Sequence, residues 1–200
     1  MPIKNLGGRG VVQAWFPTPI YYHDRLISEE ENEKCVEHIL KIKETTKSGG
    51  KDWNTDVYNT HLTHDLHTDD IFKNLCNVIK EKTTEFAKEL GSDAEYNIDE
   101  SWFNLYNEGD YQEYHYHPAS YFSAVFFFTN PENSGNLVFR SPLEPDMLPL
   151  KNGQMNDFSW RNCFYNPPAA SLIIFRSSLM HMVERCKNKT PRITGAFNFV

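Results

Sequence analysis

The sequence has no long apolar run and no excess of positive charge, and these two absences exclude broad functional classes. No apolar stretch approaches the roughly 18–20 residues that cross a bilayer, so we expect no membrane span. Lys and Arg number 20 against 27 Asp and Glu, which gives a net charge of −7. Because binding a nucleic-acid backbone needs clustered cations, we expect no general nucleic-acid binder either.

Cysteine is also scarce. The chain has four cysteines without redox or zinc-like spacing, and its first ten residues lack the apolar core of a signal peptide. These features are typical of reduced thiols, so we expect a cytoplasmic protein. The cysteines are Cys35, Cys76, Cys163 and Cys186.

Aromatic residues are abundant, with 14 Phe and 10 Tyr in 200 residues, which is enough chain for one buried core. The sequence pattern of residues 1–94 predicts an extended segment at 11–22 and two helices, which begin near Ser28 and Thr68. From residue 95, eight strand-like runs alternate with turns. We therefore predict a single domain, mainly β within the α+β class: a jelly roll at 95–200, braced by the N-terminal strand and helices. The predicted strands are 95–106, 111–117, 121–129, 136–140, 157–165, 171–175, 180–185 and 192–200.

Three histidines in these strands are candidate metal ligands. His115 and His117 are two residues apart, so strand alternation places both imidazoles on one face. His181, on a distant strand, completes a three-ligand site if the sheet curls round to it. Glu113 has the same parity as His115 and is the less favoured, carboxylate alternative. Pairs of this kind also occur as structural residues, so the interpretation depends on the wider pattern.

Five motifs follow one another through the second half of the chain. They are WxNxYxxGDY from Trp102, HxHP from His115, SGNLxF from Ser134, FRSSLxHxV from Phe175 and RITGAFN from Arg192. Together they resemble a family of 2-oxoglutarate- and Fe(II)-dependent oxygenases found in bacteria and their phages. The resemblance covers about residues 95–200, and any one motif alone is weak.

The resemblance implies an oxidoreductase with a double-stranded β-helix, Fe(II) on two histidines and a carboxylate, and 2-oxoglutarate as co-substrate. Arg192 and Thr194 match the pair that binds the distal carboxylate, and Arg offers the planar fork for it. Asn104 and Tyr106 share one strand face and would also contact the co-substrate. His117 stands where the family usually has a carboxylate, which puts ordinary hydroxylation in doubt.

The implied enzyme is a dioxygenase acting on an unidentified small molecule or peptide. Its location would be the cytoplasm of a bacterial cell or, for a phage gene, of an infected host cell. A homodimer is left open. The segment 143–158 is predicted to shape a lid or pocket over the substrate.

Other interpretations remain open at this stage. Gly109 followed by His115 and His117 matches the opening of the cupin motif, which would make this a cupin-like metal-binding protein. The glutamate that cupins need is missing, because Tyr121 and Phe122 occupy its place. A non-catalytic jelly-roll binding or virion-associated module is a further alternative. A second histidine group, His61, His64 and His67, is a weaker zinc candidate in a polar segment.

Overall fold

The structure, a computed structural model, describes residues 16–50, 53–143, 151, 153, 156 and 159–200. Within them, ten strands form two antiparallel sheets. The predicted segment at 11–22 is described only from residue 16, and most of the predicted lid at 143–158 lies outside the described residues. The strands are β1 Tyr21–His23, β2 Tyr58–Asn59, β3 Ile98–Tyr106, β4 Gln112–His115, β5 Phe122–Thr129, β6 Leu137–Arg140, β7 Asn162–Tyr165, β8 Ser171–Arg176, β9 His181–Val183 and β10 Arg192–Phe199.

Two α-helices lie between the N-terminal strands and β3. Helix α1, Glu29–Thr45, begins after Ser28, whose hydroxyl accepts a hydrogen bond from the Glu31 backbone at 3.2 Å. This is the N-cap that the sequence predicts. Helix α2, Lys73–Glu89, starts later than predicted, because Asp69 caps a short 3₁₀ turn at Asp70–Phe72 instead. No helix in the described residues is long and apolar enough to cross a membrane.

The strand order is β1-β8-β5-β10-β3-β2 in the large sheet and β4-β9-β6-β7 in the small one. Both helices pack on the outer face of the large sheet, and a second apolar cluster lies between the sheets. Each strand predicted after residue 91 corresponds to one observed strand, with ends that differ by a few residues. The predicted fold class, a jelly roll supported by N-terminal helices, is confirmed.

Strand β10 shows how the sequence creates two different surfaces from one sheet. Its apolar positions, such as Ile193 and Phe197, face the helices and are buried in the first cluster. The alternate positions, including Arg192 and Thr194, face the space between the sheets. Because side chains alternate along a strand, polar groups on this second face reach the interior without interrupting the helix-facing core.

Candidate metal and co-substrate site

A cavity of about 280 Å³ lies between the two sheets. Four side chains of β3 that line it become steadily less exposed along the strand: Glu100 is exposed, Trp102 is half-buried, and Asn104 and Tyr106 are buried. Arg192, which pairs with Tyr106 across the strands, is fully buried. The cavity is therefore open near Glu100 and closed near Arg192.

The structure brings together the three histidines that the sequence singles out. One ring nitrogen of each lies within 4.8 Å of those of the other two, and in the described residues no other group of His, Cys, Asp or Glu has this arrangement. His115 on β4 pairs directly with His181 on β9. His117 lies just beyond β4, where its backbone N–H donates to the carbonyl of Ser177 at 2.9 Å.

Backbone contacts set the orientation of two of these rings. His115 Nδ1 is 2.7 Å from the Glu113 carbonyl, and His181 Nδ1 is 2.9 Å from the Leu179 carbonyl. A carbonyl oxygen can only accept, so each Nδ1 carries the proton and each Nε2 presents a lone pair. This arrangement is the usual one for histidines that bind a metal.

All three imidazoles are held in the neutral form. Burial lowers the pKa of His115, although its contact with the Glu113 carbonyl opposes the shift. Burial and the neighbouring His115 lower the pKa of His117 to about 4. Burial places the pKa of His181 well below its ordinary value. At neutral pH the lone pairs are therefore available to a cation.

Glu113 is not part of this group, and a β-bulge explains why. The register between β4 and β9 shifts so that His115 pairs with His181 while Gln112 pairs with Val183. The extra residue on β4 breaks the strand alternation, and the prediction of Glu113 as a possible third ligand depended on that alternation. Gln112 therefore lines the cavity. The Glu113 carboxylate instead accepts hydrogen bonds from the backbone and side chain of Asn54.

This placement predicts how the two candidates for the third ligand respond to substitution. Glu113→Ala should leave iron stoichiometry near that of the parent, because its carboxylate accepts from Asn54 and is not among the clustered ligand atoms. His117→Ala should lower iron affinity by more than the roughly 10–100-fold that removing an outer-shell partner causes. Iron bound per chain, measured after equilibrium dialysis, tests both. Loss of iron in Glu113→Ala with retention in His117→Ala would show that Glu113 is the ligand.

Arg192 lies at the closed end of the cavity, and no carboxylate of the described residues pairs with it. Its Nη1 donates to the Gly135 carbonyl at 3.1 Å, whereas Nε and Nη2 have no hydrogen-bond partner in that part of the chain. The guanidinium carbon lies 5.3 Å from the Tyr106 ring centre and 5.0 Å from that of Phe127. Burial lowers the pKa of Arg192. A buried cation with two free donors is costly unless an anion joins it, so this end of the cavity fits a carboxylate.

Uncharged groups surround the same end. Thr194 and Asn104 are cross-strand neighbours and both are buried, and Asn104 Oδ1 has no hydrogen-bond partner within the described ranges. The Tyr106 hydroxyl donates to Gln112 Oε1 at 2.7 Å. Burial raises the pKa of Tyr106 to about 12, although nearby Arg192 opposes the shift, so the phenol stays protonated. All four cofactor-binding candidates from the sequence therefore line one cavity, and Gln112 joins them.

The position of the Gly135 carbonyl beside Arg192 depends on a backbone conformation that favours glycine. Gly135 has φ +80°, and a Cβ there would lie 2.4 Å from the Glu184 carbonyl oxygen. We expect Gly135→Ala to lower the free energy of unfolding by about 2–4 kcal/mol, combining overpacking with left-handed strain.

Gly91 provides a matched control for this prediction. It also has a positive φ, +86°, but nothing lies within 4 Å of a Cβ at that position. Gly91→Ala should therefore show only the strain of about 1–2 kcal/mol. Urea denaturation of both variants measures the difference, and equal losses would contradict the steric explanation.

The second histidine group does not form a site in the described residues. His64 Nε2 lies 3.3 Å from Asp69, while His67 Nδ1 contacts the Ser101 hydroxyl at 2.7 Å. His61 faces the mouth of the cavity, where its ring packs against Trp102 with 4.7 Å between centres. The three-residue spacing directs these side chains to three different neighbourhoods because the segment contains no continuous helix.

Comparisons with known proteins agree with this geometry. Residues 100–198 match the sequence model of a family described as "Putative 2OG-Fe(II) oxygenase". No curated protein matches the chain.

Many solved structures are similar, and three are typical. The non-heme alpha ketoglutarate dependent epimerase SnoN from nogalamycin biosynthesis has a TM-score of 0.70 at 10% identity, over 92% of this chain and 78% of that one. A Pseudomonas putida prolyl-4-hydroxylase has a TM-score of 0.65 at 12% identity, over 91% and 92%. HygX from Streptomyces hygroscopicus, with nickel and 2-oxoglutarate bound, has a TM-score of 0.60 at 10% identity, over 91% and 81%. These similarities establish the jelly-roll fold, and the family match over residues 100–198 shows that the chain belongs to the 2OG-Fe(II) oxygenases.

Proposed function

We propose that His115, His117 and His181 hold Fe(II), that Arg192 and Thr194 bind the distal carboxylate of 2-oxoglutarate, and that the enzyme oxidises a C–H bond of a small organic molecule. The observation that carries this proposal is the buried Arg192, whose Nε and Nη2 have no hydrogen-bond partner among the described residues, in the same cavity as three neutral imidazoles. An oxygenase of this type needs both a metal site and a site for an anion.

The donor set fits Fe(II). Neutral imidazoles suit first-row metals, and three protein ligands leave positions for a co-substrate. A site of three histidines keeps the full +2 charge of the ion, which dianionic 2-oxoglutarate would neutralise. Because a histidine stands at residue 117 in place of the usual carboxylate, binding of the metal and binding of 2-oxoglutarate should depend on each other more strongly than at a site with a carboxylate ligand.

Each group has a distinct role in this proposal. Bound together, Fe(II) and 2-oxoglutarate supply the oxidising power: O₂ is consumed, 2-oxoglutarate becomes succinate and CO₂, and one oxygen atom enters the substrate's C–H bond. Arg192 and Thr194 orient the co-substrate from the closed end. Phe175 and Trp53 pack on the histidines, with 4.7 Å between the ring centres of Phe175 and His181 and 4.6 Å between those of Trp53 and His115. These apolar rings keep bulk water away from the trio.

The small-molecule substrate class has support from relatives with the same fold. SnoN has been solved with nogalamycin RO, and HygX with hygromycin B. The cavity here is near the lower end of the size range of ligand sites, which suits the co-substrate plus part of a substrate at the open end. The cytoplasmic location, the absence of nucleic-acid partners and a homodimer stay predictions from the sequence.

Formation of succinate tests the proposed function. The purified chain, supplied with Fe(II), ascorbate, O₂ and 2-oxoglutarate, should release succinate slowly without a substrate, and removing iron with a chelator should abolish the release. Arg192→Met should lower the rate at limiting 2-oxoglutarate. Absence of both bound iron and succinate in the parent would instead indicate a non-catalytic jelly-roll binding module.

A further inference from the structure

The open end of the cavity carries one carboxylate. Of the described residues that line the cavity, Glu100 is the only acidic side chain and Arg192 the only one with a permanent positive charge. They lie at opposite ends, since Glu100 is exposed and Arg192 fully buried. The cavity is therefore polarised, with an anion-binding closed end and an anionic mouth.

A chain of hydrogen bonds positions Glu100. Its Oε2 accepts from Asn198 Nδ2 at 3.1 Å, and Asn198 Oδ1 accepts from the Ser123 hydroxyl at 2.9 Å. The Ser123 and Ser177 hydroxyls are 2.8 Å apart. Asn198, Ser123 and Ser177 are all buried, so a network inside the protein orients a carboxylate at its surface. A surface carboxylate that interacts only with solvent does not require a buried hydrogen-bond network to orient it.

The second oxygen of Glu100, Oε1, has no partner at hydrogen-bond distance among the described residues. His61 Nε2 lies 3.8 Å from it. The Trp102 ring adjoins His61, with 4.7 Å between their ring centres, and lies 5.9 Å from the ring centre of His117. Glu100 and Trp102 both adjoin His61 and both line the cavity. An organic cation held between them would gain a charge contact with the carboxylate and a cation–π contact with the indole.

We propose that Glu100 and Trp102 recognise a cationic group on the prime substrate, a protonated amine or a guanidinium. This inference rests on the proposed function, because it assigns the substrate class of the same cavity. The cation would lie at the mouth, one indole ring away from His117, and the carbon chain attached to it would extend towards the three histidines. A carboxylate at this position of a substrate would instead be repelled by Glu100.

Two probes of equal length that differ in charge test this inference. Saturation-transfer NMR on the Fe(II)- and 2-oxoglutarate-loaded protein under nitrogen, at low ionic strength, should show n-pentylammonium binding more tightly than 1-pentanol. Glu100→Gln should weaken n-pentylammonium by about two- to fivefold, the range for losing a partly exposed ion pair. Binding of 1-pentanol should not change.

Asp99 offers the matched control, since it is adjacent on β3, exposed and not part of the cavity lining. Asp99→Asn removes the same charge from a residue outside the cavity lining and should leave both probes unaffected. Equal affinity for the two probes in the parent, or equal losses in Asp99→Asn and Glu100→Gln, would overturn the inference. Titrating 2-oxoglutarate alone distinguishes the two proposals: if it fails to bind while the cation preference and its loss in Glu100→Gln persist, the cation subsite stands and the proposed co-substrate site does not.

Discussion

Replacing Arg192 with methionine should weaken binding of 2-oxoglutarate to the Fe(II)-loaded protein by about 2–5 kcal/mol, the range for losing one partner of a buried charge pair. The reason is geometric as well as electrostatic. Arg192 Nε and Nη2 are buried, have no partner among the residues that the structure describes, and form the planar fork that a carboxylate accepts from. Iron content should stay near that of the parent, because Arg192 is not among the three clustered histidines.

Two further variants sharpen this test. Arg192→Lys keeps a positive charge but loses the fork, so it should recover only part of the lost affinity. Arg176→Met removes an exposed arginine that lies 5.4 Å from the Phe122 ring centre and does not line the cavity, and it should bind 2-oxoglutarate like the parent. Calorimetric titration of 2-oxoglutarate under anaerobic conditions measures the affinity of Arg192→Met, Arg192→Lys and Arg176→Met. Equal affinity in Arg192→Met and the parent would exclude the proposed anion site.

In the protein without co-substrate, Arg192→Met should not be harmful and should preserve or raise the thermal stability. Arg192 is fully buried and its charge has no carboxylate partner in the described residues, so removing it relieves a desolvation penalty. We expect the melting temperature of Arg192→Met to equal or exceed that of the parent without 2-oxoglutarate, and to fall below it at saturating 2-oxoglutarate. Thermal unfolding of both proteins under the two conditions tests this crossover.

Replacing His181 with alanine should have the largest effect on metal binding, lowering iron affinity by more than about 100-fold, beyond the loss for an outer-shell partner. His181 is the most buried of the three histidines, and its Nδ1–H bond to Leu179 directs its Nε2 towards the others. Iron at about 100 times its dissociation constant would also stabilise the parent by about 2.7 kcal/mol. That thermal shift should disappear in His181→Ala.

His23→Ala provides the control for this prediction. His23 lies on β1, at the edge of the large sheet, and does not line the cavity. Its substitution should leave both the iron stoichiometry and the iron-dependent thermal shift unchanged. If His181→Ala kept the iron affinity of the parent, the three histidines would be a structural cluster and the proposed metal site would fail.

Strand alternation allowed much of the candidate site to be predicted from the sequence. Arg192 and Thr194 share a face of β10, Asn104 and Tyr106 share a face of β3, and the two strands pair so that these faces coincide. The prediction works because β3 and β10 are long and the pairing between them is regular around these residues. Their polar side chains interrupt apolar runs at a spacing of two, which is visible without any structure.

The alternation fails where pairing with a distant strand distorts β4. The bulge between Gln112 and His115 is set by the register with β9, and no local signal in the sequence marks it. Parity therefore placed Glu113 on the same face as His115, as the less favoured ligand, and overlooked Gln112. Strand β4 also ends at His115, so the position of His117 depends on its backbone bond to Ser177 rather than on a strand.

The mouth of the cavity could not be predicted for a similar reason. His61 belongs to a segment without a strong pattern, and Glu100 occupies an exposed strand position that suits any charged residue. Only the pairing of β2 with β3 and of β10 with β3 brings His61, Glu100 and Asn198 to one place. Contacts between residues this far apart in sequence cannot be predicted without knowledge of the whole fold.

A crystal structure of the protein soaked with Fe(II) and 2-oxoglutarate under nitrogen tests the proposed site most directly. The predicted result is an iron atom, identified by its anomalous signal, bound by His115, His117 and His181, with a carboxylate of 2-oxoglutarate on Arg192. Iron bound elsewhere, or 2-oxoglutarate bound away from Arg192, would contradict it.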